Sequence, residues 1–289
     1  MQMRGIVLAG GTGSRLWPVT RGTSKQLLPV YDKPMIHYPI ATLMLAGIRN
    51  MLIITTKQDQ ESFQRLLGNG SDIGVSFSYA VQDQPDGIAQ AFLIGESFIN
   101  NEPCALILGD NIFYGVGLGN QLQSIQADLG AHIFAQEVAD PERYGVIEFN
   151  TQRQAISIEE KPQHPKSNYA IPGLYFYDNE IVEIARSIQP SKRGELEITS
   201  VNQAYLNAGK LNVIPLERGT VWLDAGTFDS LIDASIFVQV VEKRHNHKIS
   251  CLEEIAWRNG WISDNDLILL ADSYKASPYA KYLMSLLEF

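Results

Sequence analysis

Short apolar runs alternate with stretches of helical spacing through the first third of the chain, and this alternation leaves few architectures open. "MRGIVLA" (3–9) reads as a buried strand, "NMLIIT" (50–55) as a second, "VSFSYAV" (75–81) as an alternating third and "CALILGD" (104–110) as a fourth. Between the first two, Ile36, Ile40, Leu43, Met44 and Gly47 recur at helical spacing behind Pro34, a residue suited to a first helical turn. Asp59 to Leu67 and Ile88 to Phe98 also read as helices. Strands that are apolar throughout need cover on both faces, so the pattern predicts parallel βαβ units with helices on either side of one sheet. Open sheets of this kind bind ligands beyond the carboxyl ends of their strands.

The middle changes character. "HIFAQEV", "YGVIEF", "AISIEE" and "NYAIPGLYFY" are strands with few helices between them, which predicts a smaller mixed sheet extension. Helices return at Glu180 to Ser187 and Glu197 to Ala208, and the strand Thr220 to Asp224 precedes a helix reaching about Lys243. The last forty residues read as short helices carrying Trp257, Trp261, Tyr279 and Tyr282, a surface suited to oligomer contact. The expectation is one compact unit over 1–243 with a C-terminal helical appendage over 244–289.

The formal net charge of −9, with no block of like charges, argues against nucleic acid or an anionic membrane as partner. Two distant cysteines, Cys104 and Cys251, are too few for a disulfide framework or a zinc site. No signal peptide and no apolar window of ~18 residues is legible, so a cytoplasmic protein is expected.

"AGGTGSRL" (9–16) follows the first strand. It lacks the third glycine of the dinucleotide fingerprint and the G-K of a P-loop. Its three glycines, Gly10, Gly11 and Gly13, let backbone N–H groups converge on an anion, and Arg15 adds a planar cation suited to phosphate oxygens. A tight turn with a surface arginine fits the loop alone equally well. "SKQLLPV" (24–30) tips the balance, because Lys25 follows Arg15 closely enough for both cations to close over one phosphate chain.

Together these two blocks resemble the sugar-nucleotide pyrophosphorylases, most closely the glucose-1-phosphate thymidylyltransferases. The likeness runs on through "YDKPMIHYP", "QDQPDGIAQAF", "LGDNIFYG", "DPERYGVIEF", "EEKP", "GLYFYD", "RGELEIT" and "WLDAGT". It implies an α/β fold, a Rossmann-like, mostly parallel mixed sheet flanked by helices, with nucleotide-binding and sugar-binding halves inside 1–243. It further implies transfer of a thymidylyl group from dTTP to glucose 1-phosphate with Mg2+, for deoxysugar biosynthesis, by a homo-oligomer, a tetramer in the family. The implied nucleotide site comprises Leu8, Gly10, Gly11, Thr12, Gly13, Ser14, Arg15, Lys25 and Gln26, with Gln82 and Gly87 at the thymine. The implied sugar-phosphate site comprises Gly145, Glu160, Lys161, Tyr175 and Arg193. Arg15, Lys25 and Lys161 are the implied catalytic cations.

Asp110 and Asp224 each end an apolar strand, where a lone aspartate is often only a cap. Two such carboxylates suit magnesium, which shares its shell with water and phosphate, and the resemblance assigns both to the metal. In "AISIEE", if Ile156 and Ile158 face the core, Glu160 shares their face, and an inward carboxylate must be paired or used. No G-x-S-x-G elbow is present and the five histidines do not cluster, so no covalent nucleophile is implied. Ala225, Phe228 and Pro172 depart from the family's usual threonine, histidine and threonine, which puts the choice of sugar in question. Uridylyl or other nucleotidyl transfer on the same fold, and a catalytically inactive nucleotide sensor, are the rival readings. An acyltransferase solenoid is not expected, because no hexapeptide repeats follow.

Overall fold

The computed structural model describes residues 3–11, 13–125 and 129–288. Strand β1 (Arg4–Ala9) leads into the glycine loop, then into the small hairpin β2 (Pro29–Val30) and β3 (Lys33–Pro34). There follow α1 (His37–Leu45), β4 (Asn50–Thr55), α2 (Gln60–Leu67), β5 (Ser76–Val81), α3 (Gln90–Ile94), α4 (Glu96–Ile99) and β6 (Cys104–Leu108). The second half runs β7 (Asn111–Tyr114), α5 (Leu118–Gln123), β8 (Ala131–Glu137), β9 (Gly145–Phe149), β10 (Ala155–Glu160), β11 (Tyr169–Ala170) and β12 (Leu174–Tyr177). Then come α6 (Ile181–Ser187), α7 (Ile198–Asn207), β13 (Leu211–Pro215), β14 (Val221–Asp224), α8 (Phe228–His245), α9 (Leu252–Arg258), α10 (Asp264–Ser273) and α11 (Pro278–Ser285).

Among the described residues one ten-stranded sheet runs β10-β9-β11-β8-β12-β6-β1-β4-β5, with β13 pairing off β8. β1, β4, β5 and β6 are mutually parallel, as the alternation predicts. β12 enters antiparallel between β6 and β8, and β10 and β11 also oppose their neighbours, which makes the extension mixed. The pleat sorts the apolar residues: Val7, Ala9, Met51, Ile53, Ala105 and Ile107 fill one core. Ile6, Leu8, Leu52, Ile54, Cys104 and Leu106 fill the other. Both faces of the central strands are therefore dry, which is why these strands read as unbroken apolar runs. Leu252, Ala256, Leu267, Ala271 and Leu283 of the C-terminal helices pack into the same core as Ile36, Ile40 and Met44. Among the described residues no helix is long and apolar enough to cross a membrane.

Some local expectations are corrected. Pro34 lies in β3, paired with Pro29, so α1 begins at His37 and Pro39 is the proline of its first turn. The helix expected over Ile88 to Phe98 is two helices broken at Gly95, where a Cβ would come within 3.1 Å of Ala91 O and of Ile6 Cδ1. Ile156 is 51% exposed while Ile158 is buried, because a register shift between Ala155 and Ser157 breaks the pleat. The shared face of Ile158 and Glu160 survives that shift.

Candidate active site

The carboxyl ends of β1, β6, β10 and β14 open on one cleft of about 380 Å3. Leu8, Gly10, Arg15, Lys25, Gln26, Asp110, Gly145, Glu160, Lys161, Tyr175 and Asp224 all line it, so most of the residues expected from sequence converge. Gly11, Gly13, Ser14, Gln82, Gly87 and Arg193 stand just outside its lining, and Thr12 lies outside the described residues.

One side of the cleft is built by the loop after β1. Gly11 (φ +102°) and Gly13 (φ +58°) occupy left-handed backbone, and Gly13 O accepts from the Thr20 hydroxyl at 2.7 Å. The chain then makes a tight turn over Ser14–Leu16 that buries Leu16 and turns Arg15 back across the cleft. The guanidinium ends beside Asp224, since a Cβ on Gly226 would lie 3.0 Å from Asp224 Oδ1 and 3.2 Å from Arg15 Nη2. Gln26 is buried, its Oε1 accepting from the Ser24 hydroxyl at 2.5 Å. Gln82 is also buried: its Nε2 donates to Gly87 O at 3.2 Å and to Gln90 Oε1 at 2.6 Å. Its Oε1 faces Gly10 so closely that a Cβ there would sit 2.5 Å away. Gly87 (φ +111°) leans on Leu196, so its glycine is dictated by backbone approach.

The strand expected to run to Asp110 ends at Leu108; Gly109 N–H donates back to Leu8 O at 2.9 Å, and Asp110 sits in the turn before β7. β7 pairs antiparallel with β14, setting Asp224 opposite Asn111, and Ala225 N–H donates to Asp110 O at 3.0 Å. That ladder joins two carboxylates far apart in sequence. Lys25 Nζ makes an ion pair with Asp110 Oδ2, and Asn111 Nδ2 donates to Asp110 Oδ1 at 3.1 Å. Burial pushes the Asp110 carboxyl up, but the Lys25 ammonium and these hydrogen bonds outweigh it and hold it below the ordinary range. Asp224 goes the other way: burial, then the charge of Asp110, raise it, against the pull of Lys25, Arg15 and Arg143. A buried carboxylate pair with one member so disfavoured is a place where a cation is stabilised, and its oxygens suit a hard divalent ion.

The other side of the cleft is built by residues of β9, β10 and β12 with the start of α7. Gly145 lies opposite Glu160 in the β9–β10 ladder. Glu160 Oε2 accepts from the Thr199 hydroxyl at 2.5 Å, while its Oε1 lies 3.7 Å from Lys161 Nζ and 3.8 Å from Arg193 Nη2. Lys161 takes a left-handed φ of +44° with its N–H on Tyr144 O at 2.9 Å, a strained conformation held where the side chain reaches the mouth of the cleft. Arg193 is fixed by Glu197 at 2.9 and 3.0 Å. Tyr175 is buried in β12, and burial, with the Glu160 charge, pushes its phenol far up, so it stays neutral.

Sequence reasoning missed several lining residues. Arg143 Nη2 lies 3.9 Å from Asp224 Oδ2. Asn111 Oδ1 accepts from Trp222 Nε1 at 2.6 Å and from Gly173 N at 3.0 Å, which aims its amide at Asp110. Thr199 and Asn202 share one face of α7. The signal was available for Asn111 and Arg143, which sit inside "LGDNIFYG" and "DPERYG". None of the departures Pro172, Ala225 and Phe228 lines the cleft, although Pro172 lies between Ile171 and Gly173, which do.

Residues 4–240 match the model of the family described as nucleotidyl transferase. A glucose-1-phosphate thymidylyltransferase of Mycobacterium tuberculosis is 59% identical over 286 residues, covering 99% of both chains. A Bacillus anthracis protein crystallised with sucrose superposes with a TM-score of 0.75 at 44% identity, covering 81% of this chain and 94% of that one. A UDP-glucose pyrophosphorylase in complex with UDP-glucose gives 0.73 at 27% identity, covering 85% and 100%. The chain belongs to the nucleotidyl transferase family.

Proposed function

We propose that the chain transfers the thymidylyl group of dTTP to α-D-glucose 1-phosphate, giving dTDP-glucose and pyrophosphate, a product suited to deoxysugar biosynthesis. The observation that carries this reading is one cleft in which Arg15 and Lys25 stand by the Asp110–Asp224 pair while Lys161, with Arg193 at the edge, stands by Glu160. Arg15 and Lys25 stand on the nucleotide side, and Lys161 and Arg193 with Glu160 on the sugar side. The 59% identity to a thymidylyltransferase, against 27% to a uridylyl enzyme, supports dTTP over UTP.

An oxygen of the sugar phosphate attacks the α-phosphorus of dTTP. The new P–O bond forms as the bond to the β-phosphate bridging oxygen breaks, and its electron pair leaves with pyrophosphate. The nucleophile is already an anion, so no general base is needed, and catalysis rests on positioning and charge. Arg15 binds the triphosphate and takes up developing charge. Lys25 exchanges Asp110 for phosphate beside it. Leu8, Gly10, Gly11, Thr12, Gly13 and Ser14 cradle the nucleotide, and Gln26, Gln82 and the Gly87 backbone read the thymine. Lys161 and Arg193 hold the attacking phosphate, Glu160 accepts from sugar hydroxyls, and Gly145 and Tyr175 wall the ring. Asp110 and Asp224 would hold magnesium, which would supply neutralising charge to the nucleotide phosphates. We also read the protein as cytoplasmic and tetrameric, with 244–289 contributing to the contacts between copies.

The test is pyrophosphate release with magnesium from dTTP, UTP, GTP and CTP against glucose, galactose and mannose 1-phosphates. Fastest turnover with dTTP and glucose 1-phosphate is expected. Preference for another sugar would redraw the pocket around Pro172. No turnover with any pair, from folded protein that binds nucleotide, would favour a sensor.

A further inference from the structure

Asn202 sits on α7 one turn beyond Thr199, fully buried, and both residues line the cleft. The Thr199 hydroxyl is committed to Glu160. Asn202 differs: its Oδ1 accepts from the Tyr177 hydroxyl at 2.6 Å, but its Nδ2 has no hydrogen-bond partner. The amide cannot easily turn to find one. Tyr177 is held edge-on by Phe92, with ring centroids 5.3 Å apart, and stacked on Tyr205 at 5.4 Å, so its hydroxyl stays beside the amide, and an amide turned over to donate to it would leave Oδ1 as the buried atom without a partner. Among the described residues, this is the buried side-chain atom without a partner that belongs to a residue lining the cleft. An unsatisfied buried NH2 is costly, and such atoms in folded proteins mark a position that another molecule completes.

The surroundings say what that molecule presents. The exposed cations Lys161 and Arg193 suit a phosphate, but Asn202 is fully buried in the cleft lining that also includes Glu160, Tyr175 and Ile198. A hydroxyl needs an acceptor for its proton and a donor for its lone pairs. Glu160 is such an acceptor and Asn202 Nδ2 such a donor. We propose that Asn202 Nδ2 donates to a hydroxyl oxygen of the hexosyl group, making Asn202 a specificity-determining residue for the sugar; the inference rests on the thymidylyltransferase reading above.

The test is kcat/KM for glucose 1-phosphate and its 2-, 3-, 4- and 6-deoxy analogues with wild type, Asn202→Asp, Asn202→Ala and Tyr177→Phe. Wild type should disfavour one analogue by about ten- to hundredfold through this contact. Both Asn202 variants should lose a similar factor on glucose 1-phosphate, and that one penalty should vanish while the other penalties and the KM for dTTP stay. Tyr177→Phe, which keeps the ring packing, should relax the same penalty partway, and it decides the matter if the Asn202 variants do not fold. A deoxy profile in the folded variants that matches wild type overturns the inference. So does a uniform fall across all analogues, which would mark a structural role. Wild type inert toward every sugar phosphate overturns the parent reading instead, and this inference with it.

Discussion

Asp224 lies opposite Asn111 in the β7–β14 ladder, and this register alone brings the Asp110 carboxylate, one residue earlier, beside that of Asp224. Burial and the charge of Asp110 push Asp224 up. A carboxyl whose folded pKa exceeds its unfolded value is destabilising once ionised, so above that pKa the metal-free protein carries the cost. Asp224→Asn should therefore raise the melting temperature of the metal-free protein at neutral pH, while kcat/KM falls about a hundredfold or more. Magnesium should raise the melting temperature of wild type and leave the variant unmoved. Thermal melts with and without magnesium check both arms.

Asp110 titrates in the opposite sense, because Lys25 outweighs its burial. Its folded pKa is lowered, so the pair's stabilisation is present above the unfolded carboxyl pKa and is lost as pH falls through the folded one. Lys25→Met removes that support and a phosphate cation together. The acid limb of the kcat/KM profile should move to higher pH, and the plateau should drop on the order of a hundredfold. A pH–rate profile carried down to pH 3 and up to pH 9 reads both.

Two glycines separate architecture from recognition. A Cβ on Gly87 would lie 2.3 Å from the Leu196 carbonyl oxygen at a φ of +111°. Gly87→Ala should therefore destabilise by about 2 kcal/mol or more, seen in urea denaturation. A Cβ on Gly10 meets instead the far end of the Gln82 side chain, at 2.5 Å. Gly10→Ala should fold with near-normal stability but raise the KM for dTTP and weaken its preference over UTP.

Thr199 donates to Glu160 at 2.5 Å, a hydrogen bond to a charged acceptor. Thr199→Val keeps the shape and removes the donor. KM for glucose 1-phosphate should rise about tenfold with KM for dTTP unchanged, measured by varying each substrate in turn.

The parallel half of the sheet was legible because its strands are dry on both faces, so sequence alone marks them. β7 was not: its four residues follow β6 after only Gly109 and Asp110, and nothing local tells a turn from a longer strand end. Glu160 was readable from its phase with Ile158, yet Ile156 misled because the shift that exposes it is set by pairing with β9. The glycine loop and its two cations were visible as anion chemistry. That Lys25 rests on Asp110 was not, since this depends on where distant strands end. Asn202 lay beyond pattern reading altogether, because a lone asparagine in a helix carries no period or motif.

The central claim is direct transfer between two bound phosphates with no enzyme-linked intermediate. Exchange of labelled pyrophosphate into dTTP tests it most directly, run with magnesium, with and without glucose 1-phosphate. The account predicts label in dTTP only when glucose 1-phosphate is present. Exchange without the sugar phosphate would demand a thymidylylated enzyme, and no exchange under either condition would contradict the reaction itself.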